Sequence, residues 1–374
     1  MDTKQFESFI EEAWQRQEEF EGARVQCGII GLSGSGKSSI INAIAGEKIA
    51  PVGSTEQTTE AQSFIHSGIE FVDLPGCGTE KWPHATYIED LGLEAYDCFI
   101  IVTSNRLYEY DIYLHNELYG SINKPCFVVR NKIDLAIEDE FYDNQLIEEE
   151  AIDKIRASIL SSAGLDAGCV YLTSARQPSK WDFPLLLQDI ARSQAGVKHD
   201  KFIAGMAVWS QEALESKRQV AEKIVSWSAV LSAANGLNPV PGFDVTVDAG
   251  LLVRMVSQLN GVYGLTEEQL KYVERSVPEI VDTPRYRAIK QGVIKLVARY
   301  AVADGVIVVL RKLGASLAVK NIGKYLPFVG QLVAAGIGYK MTASFGGGYL
   351  DDAEDKAGSL LDEVLICGFQ PSGN

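Results

Sequence analysis

Histidine is scarce, four in 374 residues, and the four are dispersed, so no zinc-type ligand spacing exists. The six cysteines, Cys27, Cys77, Cys98, Cys126, Cys169 and Cys367, form no C-x-x-C pair, which excludes a zinc ribbon or a dithiol redox motif. Cys27, Cys98, Cys126 and Cys169 sit in apolar, strand-like runs, the ordinary place for a reduced, buried thiol. A reducing cytoplasmic setting is therefore expected. There is no basic surplus: 34 Lys and Arg stand against 50 Asp and Glu, for a net charge of −16. That excludes broad binding to nucleic acid or to anionic lipid through bulk charge, and leaves a local basic patch open. No stretch offers about 18 uncharged apolar residues, so no conventional spanning helix is expected. The first residues, with Glu7, Glu11 and Glu12, lack the basic and apolar regions of a signal peptide.

What is present is ordinary for a globular chain: 46% hydrophobic and 22% charged residues. At this length a single core is too large, and two domains are expected. Residues 1–24 carry an amphipathic helix with Phe6, Phe9, Ile10, Ala13, Trp14 and Phe20 on one face and glutamates on the other, and its acidic polar face suits docking on protein rather than on anionic membrane. From 25 to 195 apolar strand patterns at 25–30, 61–66, 69–74, 97–103, 125–130 and 169–173 alternate with helical ones, such as 37–45, 86–95, 110–121, 145–161 and 183–193. That alternation predicts an α/β domain with a mostly parallel sheet. Only Ser67-Gly68 separates the second and third strands, so that pair is an antiparallel hairpin. The acidic stretch Glu138 to Glu150 reads as a solvated loop and helix start, not a metal site. From 196 to 374 long helical patterns take over, at 201–234, 243–263, 266–276, 285–320, 324–345 and 350–367, and predict an all-α domain. The apolar segment from Leu326 to Tyr339 reads as a buried core helix rather than a membrane-inserting hairpin.

Gly31-Leu32-Ser33-Gly34-Ser35-Gly36-Lys37-Ser38 fits G-x-x-x-x-G-K-[ST], after a strand and before a helix. The glycines let several backbone N–H groups face one anion, and the helix N-terminus adds its dipole. Gly34, Ser35, Gly36, Lys37, Ser38 and Ser39 are the phosphate-binding candidates; Lys37 reaches the β- and γ-phosphates and the Ser38 hydroxyl ligands Mg2+. Asp73-Leu74-Pro75-Gly76 closes the third strand. Asp73 can hold Mg2+, and Gly76 can offer its N–H to a γ-phosphate. Asn131-Lys132-Ile133-Asp134 follows the fifth strand as N-K-x-D. The Asp134 carboxylate can accept two hydrogen bonds from guanine N1–H and N2–H2, which adenine cannot supply. The Lys132 stem can lie over the base. Ser174-Ala175 follows the last strand, where a backbone N–H can reach guanine O6. Between the phosphate loop and Asp73, Thr58 and Thr59 are both candidates for the switch threonine that ligands Mg2+.

Taken together, these make a GTP/GDP site with Mg2+ on a Ras-like P-loop GTPase domain. The water-orienting glutamine expected after the D-x-x-G segment is absent, and Cys77 stands there. A buried thiol cannot orient water as an amide does, so intrinsic hydrolysis is expected to be slow unless a group arrives from elsewhere.

The sequence resembles the immunity-related (interferon-inducible) GTPases over most of its length. The resemblance rests on 31–38, the Val52-Gly53…Glu56…Thr58 loop, Asp73-Leu74-Pro75-Gly76, Tyr96-Asp97-Cys98-Phe99-Ile100-Ile101 leading to Asp111-Ile112, and Phe127-Val128-Val129-Arg130 into Asn131–Asp134. It continues through Asp182-Phe183-Pro184-Leu185-Leu186, Asp244-Val245…Asp248…Gly250-Leu251-Leu252, Tyr263-Gly264-Leu265 and Leu326-Pro327-Phe328-Val329-Gly330. It implies a GTPase domain on a helical domain built from the first helix and the C-terminal half. It implies GTP-dependent homodimers or larger homo-oligomers through the nucleotide face, with hydrolysis activated in the dimer. It also implies Lys37, Glu56 and Thr58 as the catalytic set, and action at intracellular membranes or in cell-autonomous defence. Two departures stand out: Asn131-Lys132 where many members have Thr-Lys, and an acidic chain that carries no lipidation signal. An alternative from another class remains: a nucleotide-gated binding module with negligible turnover that recruits a protein partner in the GTP state. A third, an ATP- or other NTP-using enzyme, is weaker.

Overall fold

The computed structural model describes residues 3–52, 60–77, 81–84, 86–235, 244–300, 305–306, 308–309 and 327–368. The chain divides into two compact units. The α/β unit comprises 23–213 with 271–278 and 364–374; the helical unit comprises 1–22, 214–270 and 279–363.

The α/β unit is built on six strands: β1 (Val25–Ile30), β2 (Gln62–His66), β3 (Ile69–Asp73), β4 (Cys98–Thr103), β5 (Cys126–Arg130) and β6 (Val170–Leu172). Their order across the sheet is β2-β3-β1-β4-β5-β6, antiparallel only between β2 and β3. Every residue of β4 and β5 is buried, as both faces of a helix-covered parallel sheet require. The edge strand β2 is the polar one, with most of its residues exposed or half-buried. Ser67 at φ 48° and Gly68 at φ 86° turn the hairpin with two left-handed residues, the twist a two-residue connection needs.

The helices that matter for the site are α2 (Lys37–Ala45), α3 (Tyr87–Asp90), α4 (Glu109–His115), α5 (Ile133–Asn144), α6 (Glu148–Ala163) and α7 (Phe183–Ser193). Helix α5 was not expected. Its exposed acidic face, with little apolar periodicity, reads as loop; tertiary support from Ile133 and Ala136 on the β5 and β6 core makes it a helix. Val197–Gly205 forms a separate short α8, and α9 begins at Gln211 and runs to Asn235.

In the helical unit, α1 (Thr3–Gly22) buries Ala13 and Phe20, with Phe20 packed on Trp227 at 5.5 Å between ring centroids. Its apolar face is narrower than the sequence suggests: Phe9 and Trp14 are exposed. Ala13 packs with Val230 and Leu231 of α9, and Glu21 accepts hydrogen bonds from Arg254 and from Gln258, both on α10 (Asp244–Tyr263). Helices α11 (Glu267–Ser276) and α12 (Pro284–Tyr300) follow. The final helix, α13 (Pro327–Gly368), runs unbroken through Gly346-Gly347-Gly348, where the sequence predicts a break. A Cβ on Gly346 would lie 2.7 Å from Val225, so a close helix–helix approach explains a glycine there that propensity alone disfavours. Among the described residues no helix is long and apolar enough to cross a membrane.

Candidate functional site

In a mostly parallel sheet, ligands gather at the carboxyl ends of the strands. Here the ends of β1, β3, β4, β5 and β6 bring together the segments 31–38, 73–77, 131–134 and 174–175. The phosphate loop leaves β1 at Gly31, whose φ of 148° no side-chain-bearing residue adopts easily. A Cβ there would sit 2.1 Å from the Val102 carbonyl oxygen. The loop must therefore pass that close to β4. Gly36 begins α2 in the left-handed region at φ 99°. A Cβ on it would lie 2.2 Å from Asn131 Nδ2.

Asn131 is the hub. Its Nδ2 donates to the Ser35 carbonyl at 3.1 Å, and its Oδ1 accepts from the Ala175 N–H at 3.1 Å. Its own N–H donates to the Thr103 carbonyl at 2.7 Å. One side chain thus ties the phosphate loop, the base motif and the end of β6. Lys132, left-handed at φ 61°, donates from Nζ to the Gly34 carbonyl at 2.7 Å, which lays its stem beside the same loop. Asp134 lies in the first turn of α5, and its Oδ1 is buried with no hydrogen-bond partner among the described residues. The Ala175 N–H, expected at guanine O6, is engaged by Asn131 in this arrangement; it would have to be shared to meet a base.

Lys37 is buried. Its Nζ donates to the Gly31 carbonyl at 2.9 Å and stands 3.6 Å from Asp73 Oδ1. Asp73, at the end of β3, is 6% exposed, and Ser38 is half-buried on the first turn of α2. A hydroxyl and a carboxylate are hard oxygen donors, the kind that suits Mg2+ alongside phosphate and water. Among the described residues no group of three or more His, Cys, Asp or Glu could hold a metal by itself. Ser35 Oγ is buried and has no hydrogen-bond partner among the described residues.

Gly76 is followed by Cys77, which is buried with its sulfur 3.6 Å from His84 Nδ1. The loop is pinned by Tyr87, whose hydroxyl donates to the Pro75 carbonyl at 2.6 Å. Burial pushes the Tyr87 phenol well up, so it stays a donor at any working pH. Sequence reasoning missed Tyr87, because nothing local marks a tyrosine twelve residues on as a loop anchor. Among the described residues a Cβ on Gly76 would meet nothing within 4 Å. Glu56, Thr58 and Thr59 lie outside the described residues.

The profile of the interferon-inducible GTPase (IIGP) family matches residues 3–315. This chain belongs to that family. Membership makes it a GTP hydrolase built on a P-loop fold. Among its relatives, Interferon-inducible GTPase 5 of Rattus norvegicus is 27% identical over 365 residues, covering 92% of this chain and 76% of the relative. The Bos taurus protein of the same name is 28% identical, over 91% of this chain and 76% of its own. Interferon-inducible GTPase 1 of Mus musculus is 27% identical over 69% of this chain and 65% of its own.

Proposed function

We propose that this interferon-inducible GTPase binds GTP with Mg2+ across the phosphate loop, Asp73 and the 131–134 segment. We propose too that it hydrolyses GTP efficiently only when a second copy meets its nucleotide face. The observation that carries the base assignment is the buried Asp134 oxygen, which has no hydrogen-bond partner among the described residues, beside a loop already clamped by Asn131 and Lys132. A buried carboxylate oxygen without a donor is costly, and a guanine N1–H and N2–H2 pair removes that cost where adenine does not.

Gly34, Ser35, Gly36, Lys37, Ser38 and Ser39 hold the phosphates in this reading, and Gly76 meets the γ-phosphate. Ser38 and Asp73 hold Mg2+, joined by Thr58 or Thr59. The ion supplies charge neutralisation at the phosphates when bound. Ala175 acts chiefly by holding Asn131 through its N–H, with Ser174 beside it at the base end of the site. The dimer requirement follows from Cys77. No amide side chain stands there to orient water, and the thiol is turned toward His84. Glu56, which resemblance places at the dimer face, is the group assigned to the water. A group that completes a GTPase site from a second molecule is worth roughly 10^3 to 10^5 in turnover.

Measuring GTP hydrolysis against protein concentration, beside size-exclusion in GDP and in a non-hydrolysable GTP analogue, tests this. Specific activity must rise with concentration, and the analogue must produce the larger species. The same buried Cys77 favours a second reading, a nucleotide-gated module that recruits a protein partner without turnover; flat, near-zero activity at every concentration selects it. Peripheral action at intracellular membranes rests on resemblance alone, and liposome flotation in both nucleotide states tests it.

A further inference from the structure

Arg130 ends β5 immediately before the base motif, and it is a charged side chain in the interior, 7% exposed. Burial lowers its guanidinium to about 10, and no acidic group contributes to that shift. It remains a cation at neutral pH, and among the described residues no ion pair to it is recorded. A buried, uncompensated cation is expensive, and an apolar residue of similar volume would suit the end of a core strand better. Its position therefore needs a reason.

The geometry supplies one. Arg130 Nη1 donates to the carbonyl oxygen of Asn131 at 2.7 Å. The other constraints on this segment are backbone pairing, the Asn131 amide and the Lys132 Nζ bond to the Gly34 carbonyl. The Arg130 carbonyl accepts from the Thr173 N–H at 2.9 Å, and the Ile133 N–H donates to the Thr173 carbonyl at 3.0 Å. The Asn131 carbonyl belongs to the peptide that leads into Lys132, which sits in the left-handed region. An asparagine can relax out of such a corner by rotating that peptide, because a lysine at positive φ is disfavoured. A charge-assisted hydrogen bond to the carbonyl fixes the plane.

We infer that Arg130 is a positioning residue for base recognition: by holding the Asn131–Lys132 peptide it sets where α5 begins, and so where the Asp134 carboxylate stands. This rests on the guanine reading above. The arginine never touches the base. Losing a buried hydrogen bond from a charged donor costs roughly ten- to a hundredfold in an equilibrium constant. Here that loss falls on the part of the affinity contributed by Asp134; whatever reaches the phosphate loop through Asn131 and Lys132 is common to every nucleoside diphosphate and leaves the preference between bases unchanged.

The test compares GDP with inosine diphosphate, which lacks the 2-amino group that Asp134 accepts from. Both affinities are measured by calorimetry on the parent, on Arg130→Met and on Arg130→Lys, with melting temperatures alongside. The parent prefers GDP. In R130M the preference falls about tenfold or more, chiefly by loss of GDP affinity, while inosine diphosphate still binds through its phosphates. R130K, with charge but a shorter reach and no planar fork, falls between. A parental preference in R130M, even with a lowered melting temperature, overturns the inference and leaves Arg130 a packing residue. Should R130M fail to fold, R130K decides alone: a reduced preference supports the inference and a parental one overturns it. A parent that shows no preference for GDP removes the guanine reading itself.

Discussion

Asn131 Nδ2 donates to the Ser35 carbonyl at 3.1 Å, and the residue after Ser35 is a glycine whose Cβ would fall 2.2 Å from that same nitrogen. The two motifs, 96 positions apart in sequence, are packed as one object. Gly36 is there for Asn131 as much as for phosphate.

Gly36→Ala and Gly34→Ala therefore differ. Both residues are left-handed, at φ 99° and φ 80°, so each alanine carries backbone strain of about 1–2 kcal/mol. Among the described residues a Cβ on Gly34 meets nothing within 4 Å, whereas one on Gly36 must displace Asn131. GDP affinity by calorimetry should fall by about tenfold for Gly34→Ala and by at least a further tenfold for Gly36→Ala. Equal losses would mean that the contact with Asn131 is irrelevant.

Asp134→Asn should change which base is accepted. An asparagine offers an N–H2 where the carboxylate offered only acceptors, and xanthine has a carbonyl where guanine has its 2-amino group. The ratio of GDP to xanthosine diphosphate affinity should invert, by roughly 10^4 or more in total, as for sites that read a substrate by buried hydrogen bonds. A variant that kept the parental GDP affinity would support a different nucleotide. Competition against a fluorescent nucleotide measures the ratio.

How much of this was written in the sequence can be judged residue by residue. The strand pattern was legible because β4 and β5 are buried on both faces and so read as unbroken apolar runs. That the phosphate loop, Asp73 and Asn131–Asp134 meet at one end of the sheet was legible because each motif directly follows a strand of a mostly parallel sheet. Helix α5 was not, since it is held by a few contacts beneath an acidic surface and shows little periodicity of its own. The unbroken α13 was hidden by three glycines that tertiary packing overrides at Gly346. The link from Asn131 to Ser35 and Ala175, the Arg130 anchor and the Tyr87 hydroxyl on Pro75 depend on long-range geometry, which no local pattern encodes.

Cys77→Ala should leave specific GTPase activity within about twofold of the parent at every protein concentration. The thiol is buried and faces His84 Nδ1 at 3.6 Å, and a thiol is a weak donor and acceptor. Truncating it removes a small buried group, for about 1–2 kcal/mol of stability. Turnover collapsing in Cys77→Ala, with the fold intact by circular dichroism, would give that sulfur a role in the chemistry. The proposal for the second copy would then lose its basis.

Asp111 makes stability depend on pH in an unusual direction. Its Oδ2 accepts from the Tyr108 N–H at 3.0 Å and caps α4, while its Oδ1 is buried with no hydrogen-bond partner among the described residues. Burial raises the carboxyl from 3.8 to about 6, with the Tyr108 hydrogen bond opposing. Below pH 3.8 the group is protonated both folded and unfolded and contributes no pH dependence. Between 3.8 and about 6 the unfolded chain ionises while the folded one keeps its proton, so unfolding releases a proton and stability falls as pH rises. Over that interval the loss approaches about 3 kcal/mol and is constant above it. Asp111→Asn keeps an acceptor for Tyr108 and removes the ionisation. The variant's stability relative to the parent, from urea unfolding at pH 4, 5, 6 and 7, should improve by up to about 3 kcal/mol across the series. A difference that does not change with pH would show that Asp111 ionises in the fold as freely as in the unfolded chain. Its buried oxygen would then have to find a donor or water that the geometry does not show.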